Sequence, residues 1–488
     1  MAELGGHRGQ GSGDRADGPI RIDARLTRER ILRAASALLG DRRLTMTQLA
    51  AAARVGRSTL YRHFHTRYAL QQALSAREAG ELGSTRPVRM DSEIARMPYM
   101  SPGQLGRGSP LALEVTRVLD EVPPHLVADQ LVAEARRVAG VPVALYVGDI
   151  DGSHLLRLAG SEDFPPALDA PPALGPEIVP EGLPEFQRAL EARLPGCEFE
   201  ALWLRGRVTA LLMCTGKPVS PLDEIAKQGA AALELANDYT DFIEAARRRK
   251  PTTPAAEVQQ HLFPPRIARI AGAQLAGVLL PSYEVGGDWF DFVENRDGAW
   301  LAIADASGTG PTAAGLGAAA LGALRAARRS GEDLVPALKS IDQTVRRLEN
   351  DDFRVPLWLA RWRAATATLT WISCGHPWAY LVDAQGELHE LKSREYPALG
   401  ARRAVRSLRT TQHLLAPSER LILVTDGIIE RRREDGGTFG VEGIKDALSR
   451  AQSTTASSTA MAIQQAVTDS WREPLEDDGT IVVMAIEE

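Results

Sequence analysis

The sequence predicts a multidomain chain that passes from an all-α head into two mixed domains, an α/β and an α+β unit. Three observations carry this expectation. At 488 residues the chain is too long for one ordinary core and suits about three domains. The formal charge of −6 is unevenly shared: residues 21–70 hold eleven arginines against Asp23, Glu29 and Asp41, a net +8 that leaves −14 for the rest. Apolar periodicity is interrupted twice, by a Pro-, Gly- and Ser-containing run at 81–110 and by PTTP at 251–254. The expected order is a disordered tail at 1–20, a head at 21–80, a linker at 81–110 and a mixed domain at 111–250. A linker with a short helix at 251–266 and a second mixed domain at 267–488 complete it.

Bulk properties exclude several classes. Cys197, Cys214 and Cys374 are far apart, so neither a disulfide framework nor a thiolate metal site is expected, and a reducing cytoplasm fits. The first residues lack the apolar core of a signal peptide. The most apolar stretch, 311–325, is rich in Ala and Gly and too short to span a bilayer. No membrane partner is expected.

The head reads as three helices. TRERILRAASALL (27–39) puts Ile31, Leu32, Ala35, Leu38 and Leu39 on one face. Thr45-Met46-Thr47-Gln48 forms a capping box that opens a second helix, Val55-Gly56 supplies a turn, and RSTLYRHF (57–64) makes the third. Leu60 and Phe64, four apart, point to the core, while polar and basic types remain outside, as in a helix-turn-helix. The stretch LTMTQLAAAARVGRSTLYRHFHTRYAL resembles the DNA-binding domain of TetR-type repressors over about fifty residues, most specifically in LYRHF. The resemblance implies double-stranded DNA as partner and Thr47, Arg57, Ser58, Thr59, Tyr61, Arg62 and His63 as the contacting set, with Tyr61 and His63 on phosphates. The linker stands where the family has its ligand-binding helices. The module can alternatively serve as a docking or dimerising element.

The middle domain begins with an amphipathic helix, HLVADQLVAEARRVAG (125–140). VPVALYVGDIDG then alternates like a strand, with HLLRLAG (154–160) as its partner. FEALWLRGRVTALLMC (199–214) reads as a hairpin turning at Arg205-Gly206, and 221–250 closes the domain as helix. The pattern resembles a GAF-type sensory domain, with a PAS-like domain as the alternative. It implies a small-molecule ligand or a dimerisation and relay role, and a homodimer. Cys197 and Cys214 have no neighbouring ligand residues and are expected in the core.

Beyond residue 280, carboxylates gather at the edges of apolar runs. EVGGDWFDF (284–292) sets Asp288 behind two glycines and ahead of aromatics. WLAIAD ends in Asp305, LILVTD ends in Asp426, and Asp477-Asp478 precede GTIVVMAI. One such aspartate is ordinarily a turn or cap residue. Several collected at one rim repel each other unless a cation neutralises them, and oxygen-only ligands favour Mg²⁺ or Mn²⁺. Glycines let backbone approach closely, so the Ala306 carbonyl is a further candidate ligand.

LFPP…YEVGGDWFDF, IADASGTG, SCGHP, LILVTDGIIE and DDGT…VVMAI together resemble the PPM-type serine/threonine phosphatases, in their SpoIIE-like branch, over 255–488. The resemblance implies an α-β-β-α sandwich with two Mn²⁺ or Mg²⁺ ions at one end. Asp288 and Asp305 match the bridging and first-ion ligands, and Asp426 and Asp477 those of the second ion, with Asp478 an alternative to Asp477. It further implies hydrolysis of phosphoserine or phosphothreonine by water attacking in line, without a covalent intermediate. The expected substrate is a phosphorylated anti-sigma-factor antagonist or similar regulator. The competing expectation is a TetR-like transcription regulator whose phosphatase-like domain is weak or inactive. Thr309 departs from the branch, which has His there, and 354–371 is unusually rich in Trp and Arg. His376 in the Gly-His-Pro turn is a candidate general acid or a structural residue. AEVQQHLFPP (256–265) is expected to form a helix joining sensor to phosphatase.

Overall fold

The computed structural model describes residues 31, 51–55, 59–60 and 122–487, apart from 283–284, 377–378, 393, 395 and 402–406. The chain divides into two compact units, Met1–Pro102 and Gly103–Glu488. In the first, Ile31, Ala53 and Leu60 are buried, as the apolar faces expected at Ile31 and Leu60 require, and Arg54 turns the chain with φ 52°. Of the candidate DNA-contacting residues, Thr59 is helical and half-buried. Thr47, Arg57, Ser58, Tyr61, Arg62 and His63 lie outside the described residues, as do the tail and the linker.

The second unit opens with helix α1 (Val127–Ala139). It buries Val127, Leu131, Val132, Ala135 and Ala139 along one stripe and ends at Gly140, φ 67°. A seven-stranded antiparallel sheet follows: β1 (Val143–Gly148), β2 (His154–Gly160), β3 (Ala167–Asp169), β4 (Ala173–Leu174), β5 (Glu177–Ile178), β6 (Cys197–Leu204) and β7 (Arg207–Thr215). Its order is β3-β2-β1-β7-β5-β4, with β6 also on β7. The β6–β7 turn is Arg205-Gly206, φ 50° and 87°, the left-handed pair that matches strand twist in a tight hairpin. Helix α2 (Leu183–Arg193) lies between β5 and β6 and packs Phe186 and Leu190 with Tyr146, Leu155 and Leu211. Helix α3 (Asp223–Asn237) shares a second apolar cluster with α1, and α4 (Phe242–Arg247) ends the domain. Cys197 and Cys214 are buried among these side chains, and burial pushes the Cys197 thiol up to about 11.

Thr253 caps helix α5 (Pro254–Leu262), its hydroxyl accepting from the Ala256 amide at 3.2 Å. Two antiparallel sheets follow. One is ordered β10-β11-β12-β13-β16 and holds β10 (Asp288–Asn295), β11 (Gly298–Asp305), β12 (Leu357–Arg363), β13 (Thr368–Cys374) and β16 (Thr411–Leu414). The other is ordered β15-β14-β17-β18-β9-β8 and holds β8 (Ile267–Ile270), β9 (Ala273–Leu280), β14 (Ala379–Val382), β15 (Leu388–Glu390), β17 (Arg420–Val424) and β18 (Gly479–Ile486). Phe290, Phe292, Trp358, Trp371, Leu421, Val482 and Met484 fill the space between the sheets. Helices α6 (Gly310–Arg329) and α7 (Leu334–Arg346) cover the first sheet. The single turn α8 (Asp426–Ile429) follows β17, and α9 (Gly440–Arg450) and α10 (Ala456–Ser470) cover the second sheet. This is an α-β-β-α arrangement. The Trp- and Arg-rich segment supplies core: Trp358 stacks on Trp371 at 6.4 Å, and buried Arg361 meets Asp297 at 2.8 Å and Asp333 at 2.9 Å.

The two mixed domains share a core. Leu174 and Val179 pack with Ile267 and Ile463, and buried Glu177 accepts from the Arg266 and Ile267 amides at 2.9 and 2.8 Å and from Arg207 at 2.9 Å. Among the described residues no helix is long and apolar enough to cross a membrane.

Candidate active site

Strands β10 and β11 are cross-paired so that Asp288 faces Asp305 across the ladder. The aromatic residues after Asp288 are buried, and Asp288 itself is 2 % exposed. Its Oδ2 accepts from the Thr425 hydroxyl at 2.8 Å and the Thr480 hydroxyl at 2.7 Å. The Thr480 amide in turn donates to the Thr425 hydroxyl at 2.8 Å. These two threonines stand at the adjoining ends of β17 and β18, so the second sheet orients a carboxylate of the first. Sequence reasoning did not single them out; their place beside Asp426 and Asp478 was the available signal.

The double glycine is explained by contact. A Cβ on Gly287 would lie 1.7 Å from the Ala306 carbonyl oxygen, and one on Gly286 would lie 2.8 Å from the Asp478 carboxyl. Bare backbone at these positions lets the Asp288, Ala306 and Asp478 segments meet, with the Ala306 amide bonded to the Gly287 carbonyl at 3.1 Å.

Asp426 begins α8, and one of its oxygens accepts from the Gly427 amide at 2.8 Å. Asp477 is likewise bonded by the Asp478 amide at 2.7 Å. Asp305 is pushed up to about 7 by burial and by repulsion from Asp426 and Asp477, and it hydrogen-bonds Asp288. Burial and the Asp305 charge hold Asp288 well above the ordinary carboxylate range. Asp426 is raised by burial and by Glu430, and Asp477 by partial burial and by Asp426 and Asp478. The four candidate carboxylates are thus brought within electrostatic reach at one end of the sandwich. Among the described residues, no three His, Cys, Asp or Glu stand at the spacing of a complete ligand set. An oxygen-only group whose members repel one another fits a hard divalent cation, Mg²⁺ or Mn²⁺.

Asp478 is placed differently. Its Oδ1 accepts from the Ser282 amide and hydroxyl, both at 2.8 Å. Its Oδ2 accepts from the Gly286 amide at 2.9 Å and from Gln259 at 2.7 Å. Both oxygens are occupied by donors in a buried setting, which suits a structural anchor better than a ligand. Gln259, on α5, also reaches the Asp288 carbonyl at 3.3 Å and ties that helix to the site; the sequence offered no signal for this beyond the position of the helix. His376 is buried, and burial lowers its pKa to about 4, so its imidazole is neutral near pH 7 and cannot donate as an acid. Burial pushes the Cys374 thiol up to about 12. Thr309 is exposed at the start of α6, where its side chain forms no capping bond.

Residues 295–487 match the family described as stage II sporulation protein E (SpoIIE), and residues 31–74 match the bacterial regulatory proteins of the tetR family. Phosphoserine phosphatase RsbU of Bacillus subtilis is 24 % identical over 183 residues, covering 37 % of this chain and 54 % of that protein. The chain therefore spans about half the length of this curated relative. Among solved structures, the SiaA-PP2C domain of Pseudomonas aeruginosa is 22 % identical with a TM-score of 0.42, covering 53 % of this chain and 100 % of that one. The PP2C phosphatase domain of Bacillus subtilis SpoIIE, with a fragment of its regulatory domain, is 15 % identical with a TM-score of 0.39. It covers 77 % of this chain and 92 % of that one. Residues 295–487 are therefore a SpoIIE-type domain, joined in one chain to a tetR-family segment at 31–74.

Proposed function

We propose that this protein is a metal-dependent phosphatase of phosphoserine or phosphothreonine in a small regulatory protein of the anti-sigma-factor antagonist type. The observation that carries the reading is the gathering of Asp288, Asp305, Asp426 and Asp477 at one end of the sandwich, where Asp305 raises Asp288, Asp426 and Asp477 raise Asp305, and Asp426 raises Asp477. Asp288 and Asp305 would hold one ion and Asp426 and Asp477 a second, with the Ala306 carbonyl as an added oxygen. When bound, the ions supply Lewis acidity toward the phosphoryl group and toward water. Thr425 and Thr480 fix the Asp288 carboxylate. Asp478, through Ser282, Gly286 and Gln259, fixes the segments on either side. Gln259 supports α5 as the element through which the GAF-like domain biases the site.

The test is hydrolysis of p-nitrophenyl phosphate by the full chain with and without Mn²⁺, beside Asp288→Ala and Asp426→Ala. Activity that requires Mn²⁺ and is lost in both variants is expected. Equal activity in folded variants would sink the reading.

A second reading, favoured by the tetR-family match at 31–74 and the +8 charge of 21–70, is that the chain also binds double-stranded DNA as a transcription regulator. A mobility shift that survives a rise in salt on one genomic fragment, and not on others, would support it; uniform loss on all fragments would reduce it to polyanion attraction.

A further inference from the structure

We propose that Arg431 is a positioning residue that holds Asp477 in register with Asp426. The inference rests on the phosphatase reading above. Arg431 follows α8 and is only 6 % exposed. Its Nη1 donates to the Pro474 carbonyl at 2.8 Å, and its Nη2 donates to the carbonyls of Trp471, at 2.8 Å, and Glu473. One guanidinium thus gathers three carbonyls of the irregular segment that leaves α10 and delivers Asp477.

The geometry is a clamp between two segments of the site. On one side, Arg431 is tied to Asp426 through a short stretch of chain in which the Glu430 amide bonds the Asp426 carbonyl at 2.7 Å. On the other, the 471–478 segment is pinned by Asp478 to Ser282 and Gly286, and Leu475 bridges Ser282. The segments are in direct contact: a Cβ on Gly427 would lie 2.1 Å from the Asp478 carbonyl oxygen and 3.1 Å from that of Asp477.

Arginine suits this place because its planar fork presents several fixed donors to acceptors set in an arc; a lysine ammonium offers a point charge on a flexible stem. All three bonds of the Arg431 guanidinium go to main-chain carbonyls, so it acts by placing the segment that carries Asp477. Its neighbour Arg432 makes a contrasting contact, an exposed ion pair with Glu476 at 3.3 Å.

The experiment is a calorimetric Mn²⁺ titration of the full chain, wild type beside Arg431→Ala, Arg431→Lys, Arg432→Ala and Asp426→Ala. Thermal unfolding without Mn²⁺ serves as the fold check. Partners that orient metal ligands typically contribute ten- to a hundredfold to affinity. Mn²⁺ binding should weaken by about that factor in Arg431→Ala and by less in Arg431→Lys, and stay unchanged in Arg432→Ala. With Mn²⁺ saturating, the KM for p-nitrophenyl phosphate should stay within about twofold of wild type, which separates placement of a ligand from loss of substrate binding. Unchanged Mn²⁺ affinity in folded Arg431→Ala overturns the proposal. If that variant does not fold, folded Arg431→Lys with wild-type affinity overturns it equally. Wild-type Mn²⁺ binding by Asp426→Ala would instead refute the ligand set, and the phosphatase reading with it.

Discussion

Replacing Thr425 and Thr480 by valine tests the site at its most enclosed point. Valine keeps the shape of threonine and removes the hydroxyl that donates to Asp288 Oδ2, at 2.8 Å from Thr425 and 2.7 Å from Thr480. Without a cation, Asp288 is driven toward its neutral form, and each hydroxyl makes a neutral hydrogen bond of about 0.5–1.5 kcal/mol. With a divalent ion bound, the carboxylate is charged and each bond is of the stronger kind, about 1.5–3 kcal/mol. The difference, about 1–1.5 kcal/mol per hydroxyl, falls on metal affinity and amounts to about tenfold for each threonine. The two variants should differ in stability. Thr425 also accepts from the buried Thr480 amide at 2.8 Å, so Thr425→Val strands that amide and destabilises the fold by a further ~1–3 kcal/mol. The assay pairs a Mn²⁺ titration with urea unfolding in chelator. Serine at either position should restore affinity to within a few-fold. If Thr425→Val and Thr480→Val both bind Mn²⁺ like wild type, the second sheet does not orient Asp288 as argued.

Three further outcomes are expected. Gly287→Ala should abolish Mn²⁺-dependent hydrolysis and cost more than about 4 kcal/mol of stability, because its Cβ meets the Ala306 backbone at 1.7 Å; a soluble, active Gly287→Ala would show that this contact can open. His376 stays neutral down to about pH 4, whereas the unfolded chain takes up this proton near its ordinary 6.5. The unfolded state binds more protons in that window, so stability is full above about pH 6.5 and is lost as pH falls toward 4, by about 3 kcal/mol. In urea unfolding series from pH 8 to 4, His376→Gln should flatten that slope; an unchanged slope would place the burial penalty elsewhere. Glu177→Ala removes the acceptor of Arg207 and of the Arg266 and Ile267 amides, and should cost about 3–5 kcal/mol. Calorimetry should then resolve separate transitions for the two mixed domains, and one cooperative transition of unchanged midpoint would show that Glu177 does not tie them together.

What the sequence determined by itself was local and repetitive. The unbroken apolar runs in WLAIAD, LILVTD and GTIVVMAI report strands buried on both faces, so β11, β17 and β18 and the carboxylates at their ends were legible without a partner in view. The turn at Arg205-Gly206 was legible for the same reason, since a left-handed pair closes within its own hairpin. What only the tertiary structure decided was which donor meets which acceptor across long stretches of chain. Thr425 and Thr480 reach Asp288 from 137 and 192 residues away, and in the sequence they read as ordinary strand-edge residues. Asp477 and Asp478 are adjacent and chemically alike. They separate because the first is exposed and bonded by the Asp478 amide, while the second is buried with both oxygens filled by Ser282, Gly286 and Gln259. Arg431 belongs to a run of three arginines, 431–433, and three carbonyls around it make it a buried clamp. Periodicity encodes which face of an element leaves water. It carries no information on the register of one sheet over another, and that register sets the direction of every oxygen at the site.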